Sequence, residues 1–212
     1  MLNANETLKA IQAMEKLIPD PKSDLAFEDP FQLLVAVILS AQTTDKAVNQ
    51  IMPALMAKYP TAEALSQAQT KDIEALIRTI GLYRNKAKYL KAMATDLVEK
   101  FSGQVPDNRQ DLESLAGVGR KTANVVLSLA FNQPAFAVDT HVERISKRLR
   151  MVPQDATPRQ IERIMTEKLP EAWWSKAHLL MVLFGRYYSK ANSSQCAELL
   201  GIEDMVERTS LD

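Results

Sequence analysis

The chain has one cysteine, two histidines and no excess of either charge. A lone Cys196 excludes an internal disulfide and a cysteine-built metal centre, and two scattered histidines offer no metal-ligand cluster. The N-terminal stretch MLNANETLKA lacks the hydrophobic segment of a secretory signal. The longest apolar run, LLVAVIL, is far shorter than the ~20 residues a membrane helix needs. These absences predict a cytoplasmic protein with no membrane partner. Low-complexity tracts, a long Gly/Ser linker and any convincing strand run are missing too.

What remains is ordinary globular composition, 46% hydrophobic and 25% charged over 212 residues, enough for one domain or two small ones. The balance of 26 bases against 26 acids conceals an uneven distribution. Acids dominate both ends, so residues 31–190 hold 22 bases and 15 acids. Local positive charge, rather than the total, sets affinity for phosphate.

Nearly every segment reads as helix. EDPFQLLVAVILSA opens with Asp29 as a cap and Pro30 at the first helical position, and TPRQIERIMTEKL has Thr157 and Gln160 in capping-box register. In RNKAKYLKAMATDLV, Ala87, Leu90, Met93, Ala94 and Leu97 recur at helical spacing. Arg84, Lys86, Lys88 and Lys91 are expected on a separate, basic face.

Two stretches, ALIRTIGLYRNKAKYL and LESLAGVGRKTANVVL, share one pattern: a helix ends, a hydrophobic-glycine turn follows, and a second helix begins. In the second, Gly117 and Gly119 are expected in backbone conformations that residues with a Cβ disfavour, letting N–H groups face outward at a helix start, an arrangement suited to a DNA phosphate. An ordinary helix–helix turn is the alternative. A nucleotide-phosphate loop requires glycine directly before the lysine, where this chain has Arg120, and a preceding strand, where PDNRQDLESL reads as a short capped helix.

LAGVGRKTANVVL followed by AVDTHVERISKRL resembles the helix-hairpin-helix DNA glycosylases with a Gly/Pro-rich loop and an aspartate, specifically the endonuclease III branch. The likeness runs through PFQLLVAVILSAQTTD and TIGLYRNKA, covering about residues 25–190. It implies an all-α fold of two lobes: a six-helix barrel lobe at 23–134 containing the hairpin, and a second helical lobe built from 1–22 plus 135–212. It also implies a cleft between the lobes with Lys121 on one wall and Asp139 on the other.

Chemistry agrees with the resemblance. Releasing a base and then cutting the strand calls for a nucleophile toward the sugar C1′ that can also form an imine, and only an amine does both. Lys121 is the candidate. Only about one free lysine in a few thousand is neutral at pH 7, so neighbouring charge such as Arg120, the helix start and partial burial of Lys121 are expected to favour the neutral amine. A carboxylate near C1′ can stabilise charge on the sugar and shuttle protons, the role the resemblance gives Asp139. Asp139 can equally cap the helix that follows it.

By the same resemblance, Gln42 fills the space left by a nucleotide turned out of the duplex and Leu82 wedges into the opposite strand. Gly117, Val118, Gly119 and Arg120 contact DNA, and Thr140 and His141 line the base pocket. Gln42, Leu82 and His141 each have a plain alternative, as a loop residue, a core leucine and a hydrogen-bonded histidine. The implied partner is double-stranded DNA carrying damaged bases or abasic sites, bound by a monomer that associates with the nucleoid. The adenine-removing relatives typically have serine in place of Lys121, and GRKTANVVLSLAF is closer to the endonuclease III wording than to that of the oxidised-guanine branch. Oxidised pyrimidines are therefore the expected substrates, with abasic sites cut by β-elimination. A hairpin DNA-binding protein without catalysis is the alternative, and a nucleotide-hydrolysing enzyme a remoter one.

Two departures stand out. The four cysteines that usually hold an iron-sulfur cluster, spaced C-x6-C-x2-C-x5-C, align with Ser189, Cys196, Leu199 and Met205. No cluster or other cofactor is expected, and Leu199, Leu200, Ile202 and Met205 are expected to plug the space by packing. The second departure is Ala116, where the family usually has proline, which predicts a less rigid hairpin.

Overall fold

The computed structural model describes residues 1–192 and 195–209; residues 193–194 and 210–212, part of the expected C-terminal lobe, lie outside the described residues. Every regular element among the described residues is helical. The chain divides into two compact units, Ser23–Asn132 and a unit joining Met1–Lys22 to Gln133–Asp212. Helix α1 (Ala4–Leu17) belongs to the latter.

The middle unit contains α2 (Pro30–Leu39), α3 (Asp45–Lys58), α4 (Ala62–Ser66), α5 (Thr70–Leu76), α6 (Tyr83–Phe101), α7 (Arg109–Glu113) and α8 (Arg120–Phe131). Helix α2 starts as its sequence predicts: Pro30 stands at the first position and the Asp29 carboxylate accepts the Gln32 N–H at 2.8 Å. Phe31 and every residue from Leu33 to Leu39 are buried, so α2 is the central element, packed by α3, α6 and α8. Burying a leucine or isoleucine side chain contributes ~1.5–3 kcal/mol, which is why a helix with no polar face is held inside. Helix α6 packs on α4 and α5 and buries Ala87, Leu90, Met93, Ala94 and Leu97 completely.

One expectation for α6 fails. Lys86 does not join the basic face; it is only 4% exposed. The spacing explains the outcome, because Lys86, Leu90, Met93 and Leu97 fall on a single helical stripe.

In the terminal unit, α1 packs on α10 (Pro158–Lys168) and α11 (Trp174–Leu183), and α11 packs on α9 (Thr140–Arg148). The capping box at Thr157 and Gln160 forms as expected. Ile11 and Met14 share a core with Val142, Ile145, Leu180 and Phe184. The Lys168 ammonium donates to the Leu2 and Met151 carbonyls at 2.6 Å each, fixing the chain start to the end of the α9 region. Helix α11 widens into a π-helical turn at Phe184–Tyr188, and the short α12 (Glu203–Arg208) follows. No helix among the described residues is long and apolar enough to cross a membrane.

The C-terminal segment closes differently from the expectation. Leu199 is 40% exposed, whereas Cys196, Leu200 and Ile202 are buried and Met205 packs only partly against them. The remaining closure is polar. One turn apart on α9, Arg144 donates to the Gly185 and Ser189 carbonyls at 2.8 and 2.6 Å, and Arg148 donates to the carbonyls of Lys190, at 2.9 Å, and Ala191. The π-helical turn and the chain after it leave these carbonyls outside a regular ladder, and two guanidinium groups satisfy them.

Candidate active site

The hairpin lies between α7 and α8. Asn108 caps α7 by accepting the Asp111 N–H at 3.0 Å, and the chain then turns through residues 114–119. Gly117 adopts φ +76°, and a Cβ there would come within 3.1 Å of the Tyr89 side chain on α6. Both observations favour glycine at that position. Val118 is the buried anchor of the turn, and Gly119 is exposed. Ala116 is not loose: its N–H donates to Asp96 Oδ2 of α6 at 3.1 Å, and Lys100 holds the other oxygen at 2.6 Å. The expected loss of rigidity is thus countered by a hydrogen bond that proline, lacking an N–H, could not make.

Gly119 is the N-cap of α8 and brings no side chain to the helix start. The first-turn N–H groups of an α-helix have no intrahelical acceptors, and together with the helix dipole they favour an anion. Arg120 begins α8, and Lys121 follows it in the first turn; its side chain is exposed, not partly buried as expected, because it stands on the open side of the helix start.

Asp139 begins α9 in the terminal unit. Its Oδ1 accepts the Val142 N–H at 2.8 Å, so it is a helix cap, and Oδ2 accepts no hydrogen bond among the described residues. Capping thus occupies one oxygen and fixes the other. Thr140 is exposed and His141 half-buried. Arg144 Nη2 lies 3.1 Å from His141 Nδ1; because a guanidinium only donates, this contact is a hydrogen bond in the tautomer that carries its proton on Nε2. Burial lowers the His141 pKa from its usual value, Arg144 and Arg186 push it the same way, and the Asp139 carboxylate opposes them. The ring backs onto Gly185, where a Cβ would come within 3.0 Å of the His141 Cβ.

Gln42 and Leu82 both belong to the middle unit, on separate turns. Both are exposed and both are left-handed, with φ of 55° and 59°. A bulky residue at positive φ is uncommon and costs energy, so a surrounding structure has to hold it there. Leu82 is not the core leucine that its turn could have made it; 55% of its surface is exposed.

Over residues 35–171 the chain matches the HhH-GPD superfamily of base excision DNA repair proteins. It belongs to that family. It is 42% identical over 198 residues to endonuclease III of Bacillus subtilis (strain 168), covering 93% of this chain and 90% of the relative. It is also 37% identical over 206 residues to endonuclease III of Escherichia coli (strain K12), covering 97% of each. Among solved structures, a non-covalent endonuclease III–DNA complex superposes with a TM-score of 0.92 at 42% identity, over 100% of both chains. A trapped endonuclease III–DNA covalent intermediate, the estranged-adenine complex, gives 0.91 at 42% identity, over 99% of this chain and 100% of the other.

Family membership raises the question of an iron-sulfur cluster, and the residues present do not fit one. The donor set is a single thiol. Burial pushes the Cys196 pKa up, toward the protonated form that is not a metal ligand, although Arg144 and Arg148 oppose the shift. Ser189 brings a hydroxyl, engaged by Arg148 at 3.4 Å, and Leu199 a hydrocarbon side chain, so neither position supplies the thiolate a cluster needs.

Reading the sequence alone missed Lys86, Asp96, Arg144 and Arg148. Lys86 could have been found from its phase in the α6 stripe. The arginines of α9 carry no such signal, because their acceptors are main-chain carbonyls about forty residues away.

Proposed function

We propose that this base excision repair protein is a bifunctional DNA glycosylase and abasic-site lyase acting on damaged, chiefly oxidised, pyrimidines in duplex DNA. The observation that carries the reading is Lys121, exposed in the first turn of a helix whose start is left open behind a glycine hairpin. In this reading the amine of Lys121 attacks C1′, the C1′–N bond breaks, and the base leaves with the electron pair and takes a proton. The sugar ring opens to an imine joining C1′ to the lysine. Loss of a C2′ proton then expels the 3′ phosphate by β-elimination, and water returns the free amine. Asp139, with one oxygen engaged in capping, stabilises positive charge on the sugar and carries protons.

The hairpin N–H groups at Gly117, Val118 and Gly119, together with Arg120, hold the phosphate backbone. Gln42 and Leu82 occupy the duplex where the nucleotide is turned out, and Thr140 and His141 face the extruded base. The enzyme works as a cytoplasmic monomer without a cluster, its C-terminal segment held by buried apolar residues and two arginines.

A duplex with a single oxidised pyrimidine tests the catalytic part. Release of the free base together with strand cleavage leaving a β-elimination end is expected. Base release with an intact strand would contradict the lyase assignment, and neither event would contradict the whole reading. Iron analysis tests the cofactor reading: purified protein should contain no stoichiometric iron and melt at the same temperature with or without a chelator.

A further inference from the structure

Lys86 is a buried ammonium in the first turn of α6, and the chemistry assigned above does not use it. Burying a charge is costly unless its position has a structural return. Its side chain makes one hydrogen bond among the described residues, to Thr43 Oγ1 at 2.7 Å. Thr43 directly follows Gln42, and its hydroxyl in turn lies 3.5 Å from the Ala41 carbonyl, so this chain of contacts spans the Gln42 turn. Lys86 also stands one helical turn after Leu82, its N–H making the regular first-turn bond to the Leu82 carbonyl at 3.0 Å, so its side chain is anchored in the helix that begins at Leu82. Gln42 and Leu82 both stand at positive φ with exposed side chains. Other positive-φ residues such as Ser102 and Asn132 merely end helices. One buried residue therefore ties together two strained, outward-facing turns.

We propose that Lys86 is a positioning residue that sets the spacing of Gln42 and Leu82, so that the two side chains enter the duplex as one unit when a nucleotide is turned out. The inference rests on the roles given to Gln42 and Leu82 above. It places the effect of Lys86 on opening the base stack rather than on bond cleavage. Opening is demanding when the base is paired and much easier at a site that has already lost its base.

The test compares single-turnover base release from a paired oxidised pyrimidine with single-turnover cleavage of a preformed abasic site. Lys86→Met, which keeps length and removes the ammonium, should slow base release about ten- to hundredfold and slow abasic cleavage far less. Thr43→Val should behave alike, Thr43→Ser should recover most of the loss by restoring the hydroxyl, and the double variant should be no worse than the worse single one. Equal losses on both substrates would overturn the inference, as would Thr43→Ser being as slow as Thr43→Val. So would base release at the wild-type rate in Lys86→Met. Wild-type protein inactive on both substrates would instead overturn the enzymatic reading on which the inference stands.

Discussion

Helix α8, which carries Lys121, starts behind Gly119 with no side-chain cap, whereas α9 is closed at its start by Asp139, whose carboxylate accepts the Val142 N–H at 2.8 Å. A helix start is an anion site by default, and a protein chooses whether to fill it. In α9 the site is filled from within, which fixes a carboxylate in place and leaves one oxygen over. In α8 it is left open, and the adjoining turn is braced from behind by Tyr89 and Asp96. The open start suits a phosphate from outside, and the closed start suits a carboxylate that must not move.

Substitutions can break this contrast. At the closed start, Asp139→Asn keeps a capping oxygen but removes the charge. It should lower single-turnover base release at least about a hundredfold, with a melting temperature close to wild type because asparagine caps as well as aspartate. Asp139→Ala should lose activity similarly and also ~1 kcal/mol of stability; equal activity for Asp139→Asn and wild type would leave Asp139 a cap and nothing more. At the open start, Gly119 has φ −98°, and a Cβ there would meet no atom within 4 Å, so a larger residue fits. Gly119→Asp should stabilise the fold slightly yet weaken duplex affinity about tenfold or more, because the new carboxylate takes the phosphate's place. Unchanged affinity in a titration at fixed salt would show that no phosphate binds there.

A subtler substitution sharpens the account of the brace. Asp96→Ala should cost ~1 kcal/mol and loosen the hairpin, whereas Ala116→Pro removes the N–H that Asp96 serves. In the Ala116→Pro background, removing Asp96 should therefore weaken duplex affinity less than it does in the wild type. The smallest effect concerns pH. His141 is easier to protonate in the unfolded chain than in the folded one, where burial lowers its pKa. Above a pH of about 6.5 both forms are neutral and the residue contributes nothing. As pH falls from there through the lower folded value, the unfolded chain binds the proton first and stability declines. Melting curves of His141→Asn should show less of this decline than wild type; identical pH profiles would mean that the histidine is not held neutral.

The parts of the fold that are legible in the sequence share a local cause. Asp29 with Pro30, Thr157 with Gln160, and the glycine at 117 act on backbone within a few residues, so their pattern predicts their geometry, whereas Gly119 adopts an extended φ of −98° that does not call for glycine. The α6 stripe is legible too, except at Lys86, whose charge points to the surface while its phase points to the core. The C-terminal segment is less legible: Leu199 and Leu200 are adjacent, and only the turn after Ala197 decides which one faces the core. Ala116 illustrates the same limit, since its rigidity comes from Asp96, twenty residues earlier, rather than from its own residue type.

The central claim is that Lys121 is the nucleophile. Borohydride reduces an imine to a stable amine, so incubating the protein with borohydride and a duplex containing an abasic site should leave protein covalently joined to DNA. Wild-type protein should give this complex, and Lys121→Gln, which keeps a polar side chain but has no amine, should give none while still binding the duplex. Trapped complex at the wild-type level in Lys121→Gln would contradict the account.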